Sequence, residues 1–155
     1  MGGEAQRPPC NNEKTTDMKK LFLFLTIVLA LASCQPKLTE QVDASFPNGQ
    51  PQYVKMLDKS GNCVKEIEYY ESGQIKMEGS VKDGQREGEW KAYFPDGRPQ
   101  SIADFKAGVM EGRTQVYWKN GNLRWEGYYK AEKRSGKWRY YDEIGNLHKE
   151  VDYGE

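Results

Sequence analysis

The chain has 155 residues, enough for one ordinary domain, and 30% of them are charged. Lys and Arg total 23 and balance 23 Asp and Glu, so net charge gives no argument for binding nucleic acid. His148 is the one histidine, which excludes His-rich metal sites and catalytic His pairs. Aromatic residues make up 12% of the chain. Disordered chains are poor in them, so we expect this one to fold.

An apolar segment lies near the N-terminus. Residues 21–32 read LFLFLTIVLALA, which is too short to span a bilayer core about 30 Å thick. Lys19 and Lys20 precede the segment, and small residues follow it, which is typical of a secretory signal. A buried core helix is the alternative. We therefore interpret 1–17 as a disordered extension or an early mis-assigned start, and 18–33 as a helical signal peptide.

The signal ends in Leu31-Ala32-Ser33-Cys34, which resembles the lipobox of bacterial lipoproteins. The resemblance implies cleavage before Cys34, fatty acylation of this cysteine and anchorage of the chain to a membrane. It also implies a place in the bacterial cell envelope, at the outer membrane if the source is Gram-negative. An unmodified cysteine near an ordinary cleavage site is the alternative. Residues 34–44 are then expected to be a tether.

A 24-residue repeat follows the tether. One glycine column contains Gly49, Gly73, Gly97, Gly121 and Gly145, and a second contains Gly88, Gly112 and Gly136. A tyrosine column with the same interval contains Tyr69, Tyr93, Tyr117 and Tyr141. Two strands of about six residues fit between successive turns. The repeat predicts an all-β fold over 45–155, an elongated single-layer antiparallel sheet of tandem hairpins.

The two turns of each unit differ in sequence. Asp96-Gly97 and Asn120-Gly121 favour two-residue type I′ loops, because both central residues of that turn need positive φ. The other turn is expected to be longer, as in 82–88. Two-residue loops place Trp118 opposite Leu123 and Phe94 opposite Pro99. The same register places Val116 opposite Trp125, Trp90 opposite Ala103, Thr114 opposite Gly127 and Trp138 opposite Val151.

This register separates an apolar from a polar face. We expect five aromatic residues to be buried on the apolar face: Trp90, Phe94, Trp118, Trp125 and Trp138. Small residues at Gly79, Ala103 and Gly127 make room for large neighbours. Charged residues such as Glu78, Lys91 and Glu126 line the other face. A single sheet must cover its apolar face by curling, by a loop or by a second copy, so self-association is one possible outcome.

The repeat unit resembles the bacterial MORN-repeat variant family. Its pattern G-x-W-x-x-Y-x-x-x-G is matched by residues 88–97 and 136–145, whereas Thr114 replaces Trp in the unit between them. The family implies stacked hairpins and does not imply one activity. Some of its members carry an antitoxin label (YwqK), and MORN repeats elsewhere are described as protein-binding or membrane-associating modules.

Enzymatic chemistry has little support in the residues. One histidine cannot build a nucleophilic triad, and we interpret His148 as a solvated strand residue. The carboxylate pairs Glu66/Glu68 and Glu87/Glu89 share strand faces, whereas a glycosidase needs carboxylates facing across a cleft. We expect no catalytic residues, cofactor or metal. Cys63 is the second cysteine of the mature chain and is predicted to be unpaired.

Two surfaces are candidates for binding. Tyr69, Tyr93, Tyr117 and Tyr141 either form a stripe for a protein or glycan, or pack on Lys and Arg stems. The basic stretch at 130–139 is either a solvated loop or a contact with anionic lipid headgroups. We therefore expect an exported, membrane-anchored, non-enzymatic binding or scaffold module. An antitoxin-like neutraliser of a partner toxin and an envelope glycan or wall hydrolase are the alternatives.

Overall fold

The computed structural model describes residues 37–154, and these form one sheet of ten antiparallel strands in chain order. The strands are β1 (Thr39–Ser45), β2 (Pro51–Leu57), β3 (Cys63–Tyr69), β4 (Ile75–Lys82), β5 (Gln85–Tyr93), β6 (Pro99–Lys106), β7 (Val109–Tyr117), β8 (Leu123–Lys130), β9 (Lys133–Tyr141) and β10 (Leu147–Asp152). This confirms the all-β, single-layer antiparallel fold. The predicted signal helix lies outside the described residues. Within 37–154, no helix is long and apolar enough to cross a membrane.

The sheet begins earlier than expected. β1 covers Thr39–Ser45, most of which falls in the range 34–44 that is predicted to be a tether. All seven residues of β1 are exposed, and the strand is held by its ladder with β2. An exposed strand without an apolar row gives no hydrophobic signal, so its sequence resembles a linker. The stretch between Cys34 and the sheet is correspondingly shorter.

Two continuous rows of paired residues cross the sheet on opposite faces. The first row defines the tryptophan face and runs Gln41, Lys55, Glu66, Gly79, Trp90, Ala103, Thr114, Gly127, with Trp138 and Val151 continuing it. The second row defines the tyrosine face and runs Val42, Val54, Ile67, Glu78, Lys91, Ile102, Gln115, Glu126, Arg139, Glu150. The strand pairing confirms the predicted mid-strand pairs Trp90–Ala103, Val116–Trp125, Thr114–Gly127 and Trp138–Val151.

The Asp-Gly and Asn-Gly turns are not of type I′. Gly121 N donates to Trp118 O at 2.9 Å and Trp118 N to Asn122 O at 2.8 Å, and only the glycine has positive φ. This is the three-residue loop in which a type I turn precedes a left-handed glycine. Tyr117 therefore pairs with Leu123, and Tyr93 with Pro99, instead of the predicted Trp118 and Phe94. A bulge next to each turn restores the mid-strand register.

The type I′ loops lie at the other ends of the strands. Asp83-Gly84, Ala107-Gly108 and Ala131-Glu132 have positive φ at both central residues, as this turn requires. The predicted long turns are therefore two-residue loops, since the polar residues after them belong to strands. Gly88, Gly112 and Gly136 also have positive φ and lie where the register shifts between the paired strands. These glycines mark bulges rather than turn ends.

The buried side chains change face along the sheet. In β2 and β3 they are Val54, which is 0% exposed, and Ile67, both on the tyrosine face. From β4 onward they lie on the tryptophan face and include Val81, Trp90, Ala103 and Trp138. The tryptophan face is therefore less apolar before β4 than after it. At its N-terminal end the same face carries the polar residues Lys55 and Glu66.

Candidate functional site

An aromatic cluster occupies the C-terminal end of the tryptophan face. Its centre is Trp138, which is 0% exposed although no second layer of the described chain covers it. Trp125 stacks on Trp138 with ring centroids 5.2 Å apart, and Tyr129 meets it edge-on at 5.1 Å. Tyr153 and Tyr140 contact it at 6.0 and 6.4 Å. These four rings, each only partly buried or exposed, enclose the one buried ring and form an outward surface.

Arg134 covers the edge of this cluster. Its guanidinium carbon lies 4.6 Å from the Trp138 ring centroid and 5.6 Å from that of Tyr153, within cation–π range. The same group donates to the hydroxyls of Tyr153 at 2.9 Å and Tyr140 at 3.2 Å. An arginine among tyrosines and tryptophans is the composition that dominates binding energy at protein interfaces.

A second cluster stands 48 residues earlier. Trp90 is 4% exposed, meets Phe105 edge-on at 6.2 Å and lies under Arg86, whose guanidinium carbon is 4.1 Å from the ring. Both buried indoles also donate across the sheet, Trp90 to Ser80 O at 2.9 Å and Trp138 to Tyr128 O at 3.1 Å. The two Arg–Trp pairs thus occupy equivalent positions in alternate repeats.

Glycines explain how these rings fit. A Cβ at Gly79 would overlap the Trp90 ring, and a Cβ at Gly127 would overlap the Trp138 ring. The unit between them has Ala103 in the glycine column and buried Thr114 in the tryptophan column. The prediction that small residues make room for large ones is confirmed at Gly79 and Gly127, whose partners are the Trp90 and Trp138 rings.

Burial of the other predicted aromatics is less complete. Phe94, Trp118 and Trp125 are half-buried, whereas Trp90 and Trp138 are buried. Trp118 lies beside a turn, where its indole donates to Tyr141 O at 3.1 Å and Arg124 stacks on its ring. Tyr70, in the same column, likewise donates to Tyr93 O at 2.8 Å. These aromatics link one hairpin to the next rather than filling a core.

The four predicted stripe tyrosines, Tyr69, Tyr93, Tyr117 and Tyr141, are half-buried on the tyrosine face. Tyr93 donates its hydroxyl hydrogen to Glu78 at 2.9 Å, and Tyr141 donates to Glu126 at 3.2 Å. Tyr117 donates to Gln115 at 3.0 Å. The structure therefore brings the column together on one face and bonds three of its hydroxyls to polar groups of the same sheet.

Charges on the tyrosine face are locally paired. Burial opposes ionisation of Glu78, but hydrogen bonds from Lys65, 2.6 Å away, and from Tyr93 hold the pKa of this carboxyl below its usual value. Burial and the bond to Glu78 raise the pKa of Tyr93 to about 12. At neutral pH this face therefore carries a neutral phenol donating to an ionised carboxylate.

The remaining candidates for chemistry are dispersed. Glu68 is bound to Lys76 at 2.6 Å and Glu89 to Lys91 at 2.9 Å, and Glu87 accepts from the backbone N of Ala107 at 2.9 Å. His148 is exposed on β10. Burial raises the pKa of the Cys63 thiol, which is free and half-buried. Within residues 37–154, no three potential ligands are grouped to hold a metal ion.

Two family models match the chain. Residues 18–35, which include Cys34, match the prokaryotic membrane lipoprotein lipid attachment site. Residues 63–83, 86–107 and 110–131 match the MORN repeat variant, and each of these segments covers most of one hairpin from β3 to β8. The comparison with curated proteins gives no significant match. The chain therefore carries the lipid attachment site of a bacterial membrane lipoprotein, followed by tandem MORN repeat variants.

Proposed function

We propose that this membrane-anchored repeat protein is a non-enzymatic binding module and that its tryptophan face receives a protein partner in the cell envelope. The observation that carries the proposal is the ring of Trp125, Tyr129, Tyr140 and Tyr153 around buried Trp138. A contiguous aromatic surface of this kind is typical of interaction sites. Arg134 adds a donor and a cation to the same surface.

The proposed anchor is Cys34. Each buried methylene of an attached acyl chain contributes about 0.8 kcal/mol, so the two or three chains of a lipoprotein hold stably where one would not. Anchorage places the sheet at an envelope membrane, which is the outer membrane if the cell is Gram-negative. A partner on this surface is then held in the same compartment.

The tyrosine stripe has a different role in this proposal. Three of its hydroxyls already donate to Glu78, Gln115 and Glu126, so a partner would have to displace bonds that the sheet makes to itself. Breaking such bonds without full replacement leaves partly buried polar groups unpaired, which is costly. We therefore assign the column a packing role and place the partner on the opposite face.

Site-specific photo-crosslinking in the producing cells tests the proposal. Benzoylphenylalanine at Trp125 is expected to give a defined adduct, whereas the same residue at Lys91 on the tyrosine face should give none. Tyr129→Ala should diminish the Trp125 adduct by removing a neighbouring ring. Lys76→Ala, at an exposed residue on the tyrosine face, is the matched control and should leave the adduct unchanged.

Cys34→Ser is the second arm of this test. The unsubstituted protein is expected to incorporate a fatty-acid probe, and the serine variant is expected neither to incorporate it nor to give the adduct. Probe incorporation by the variant would refute the proposed anchor. The proposed binding face would be refuted by equal adduct yields at positions 125 and 91. It would also be refuted if Tyr129→Ala left the yield of the Trp125 adduct unchanged.

A further inference from the structure

We infer that the partner of the tryptophan face is an acidic protein segment, and that Arg86 and Arg134 each bind one of its carboxylates. The inference rests on the proposed function and adds to it the chemistry and the spacing of the groups that the partner presents. The two carboxylates are expected to be about 19 Å apart, because β5 and β9 are separated by four strand spacings of about 4.8 Å.

Both arginines have hydrogen-bond donors that a partner can use. The Arg86 guanidinium carbon lies 4.1 Å from the Trp90 ring centroid, and the Arg134 carbon lies over Trp138 at 4.6 Å. Within residues 37–154, neither arginine forms an ion pair. A guanidinium carries five N–H donors in a fork that fits a carboxylate. The two bonds that Arg134 donates to tyrosine hydroxyls both come from Nη1, so this group too has donors left for a partner.

The fold of a hairpin does not depend on an arginine at this position. Arg86, Met110 and Arg134 recur every 24 residues, so methionine takes the place of arginine in the middle unit. The same unit has Thr114 where the other two have a buried tryptophan. A hairpin of this sheet therefore forms with methionine here, and the two arginines add a positive charge that the repeat itself does not require.

The carboxylates of strands β4–β10 all lie on the tyrosine face. Seven of them are placed there by the strand pairing, and Glu111 by alternation between Met110 and Gly112. The seven are Glu78, Glu87, Glu89, Asp104, Glu126, Glu150 and Asp152. On the tryptophan face the same strands carry the basic residues Arg86, Arg134 and Lys149, and Lys149 pairs with Tyr140.

Three further carboxylates lie near the arginines in sequence or on the same face. Asp83 and Glu132 are in the turns before β5 and β9, and Glu66 is on the tryptophan face of β3. None of the three forms an ion pair within the described part of the chain. Complementary charge steers a partner to its site. We therefore expect an acidic segment to lie over β5–β10, and Glu66 to repel it from β3.

The distance between the arginines suits a polypeptide. An extended chain advances about 3.3–3.6 Å per residue, so about 19 Å corresponds to acidic residues five or six positions apart. Between the two arginines the tryptophan face carries uncharged side chains, among them Ala103, Met110 and Thr114. The residues between the two acidic positions of the partner are accordingly expected to be uncharged.

The test adds arginine variants to the crosslinking at Trp125. Arg86→Met and Arg134→Met each reproduce the residue found at position 110, so both are expected to fold and to melt cooperatively by circular dichroism. Each should lower the yield of the Trp125 adduct severalfold, because one carboxylate of the partner loses its bonds. Arg113→Met, at an exposed arginine on the tyrosine face of β7, is the matched control and should leave the yield unchanged.

Mass spectrometry of the adduct gives the second readout. The crosslinked segment is expected to contain acidic residues five or six positions apart. Arg134→Glu should abolish the adduct, and lysine in place of one of these acidic residues should restore it. This exchange of charges depends on direct contact and not on the stability of the sheet.

The outcomes separate the inference from the proposed function. An undiminished adduct with Arg86→Met or Arg134→Met, or a crosslinked segment without carboxylates, would overturn the inference and leave a protein-binding face in place. Failure of the exchanged charges to restore the adduct would also overturn it. Absence of any adduct from the protein with its native arginines would refute the proposed function and the inference together.

Discussion

Trp138→Ala is expected to lower the free energy of unfolding by about 3–5 kcal/mol, the usual cost of truncating a buried tryptophan. The ring is fully buried and contacts four other aromatic rings, and its indole donates to Tyr128 O. A whole domain is stable by only about 5–15 kcal/mol. The substitution should therefore melt the C-terminal hairpins far below the melting temperature of the unsubstituted protein, as measured by circular dichroism.

Trp118→Ala is the matched control, because it removes the same side chain from a half-buried site. It loses one hydrogen bond and a stacking arginine, so we expect a cost of about 1–2 kcal/mol. Both melts should be measured on the same preparation. A larger loss for Trp118→Ala than for Trp138→Ala would show that the two tryptophan environments are assigned wrongly.

Gly79→Ala and Trp90→Thr are expected to be strongly coupled. Alone, Gly79→Ala forces the Trp90 ring out of place and should cost about 1–3 kcal/mol through overpacking. Trp90→Thr alone should cost about 3–5 kcal/mol. The double variant reproduces the combination found at Ala103 and Thr114 in the next unit, so its cost should fall below the sum of the two by about 1–2 kcal/mol.

A second double variant, in which Trp138 replaces Trp90 as the tryptophan that is substituted, is the control for this double-mutant cycle. Gly79→Ala combined with Trp138→Thr joins residues of separate clusters, so their costs should add within about 0.5 kcal/mol. Chemical denaturation of the single and double variants gives the free energy of unfolding of each, from which the coupling energies are calculated. Additivity within the first pair, or coupling within the second, would contradict the ring-over-glycine packing.

The repeat and the mid-strand register were predictable because one interval recurs without insertion. Gly79, Ala103 and Gly127 stand in phase with Trp90, Thr114 and Trp138, and a period-two strand allows only one pairing that segregates these residues. Hydrophobic alternation carries this information directly. The structure confirms it from β4 to β10.

The turns lie where the sequence predicts them, but the type I′ loops are at the other edge of the sheet, and this difference has a physical reason. Asn-Gly is the strongest sequence signal for a type I′ loop, but a type I turn followed by left-handed glycine uses the same residues. Ala107, Ala131 and Glu132 adopt positive φ without being glycine or asparagine. Backbone bonds to the neighbouring hairpin hold two of these loops, from Gly108 N to Arg86 O and from Glu132 N to Met110 O. Such tertiary support has no local sequence signature.

The candidate site was only partly visible in the sequence. The tyrosine column could be recognised from its spacing, whereas the bonds from Tyr93, Tyr117 and Tyr141 to their own sheet depend on side-chain geometry. The cluster around Trp138 draws Trp125 and Tyr129 from β8 and Tyr153 from the residue after β10, and only the register brings them together. Arg86 and Arg134 occupy the same position in alternate repeats, four residues before Trp90 and Trp138. This 48-residue spacing of the Arg–Trp pair is the sequence signal that could have revealed both clusters.

The central claim is that the 24-residue hairpin is the structural unit of a ladder presenting one aromatic face. Deletion of residues 98–121 tests it most directly, because it joins Gly97 to Asn122 and leaves a complete turn of the same type. Because each hairpin contacts only its neighbours, the shortened ladder should still melt cooperatively. In it, Gly127 takes the place of Ala103 opposite Trp90. The out-of-phase deletion of 98–110 should abolish cooperative melting. Equal loss of cooperativity in both deletions would contradict the account.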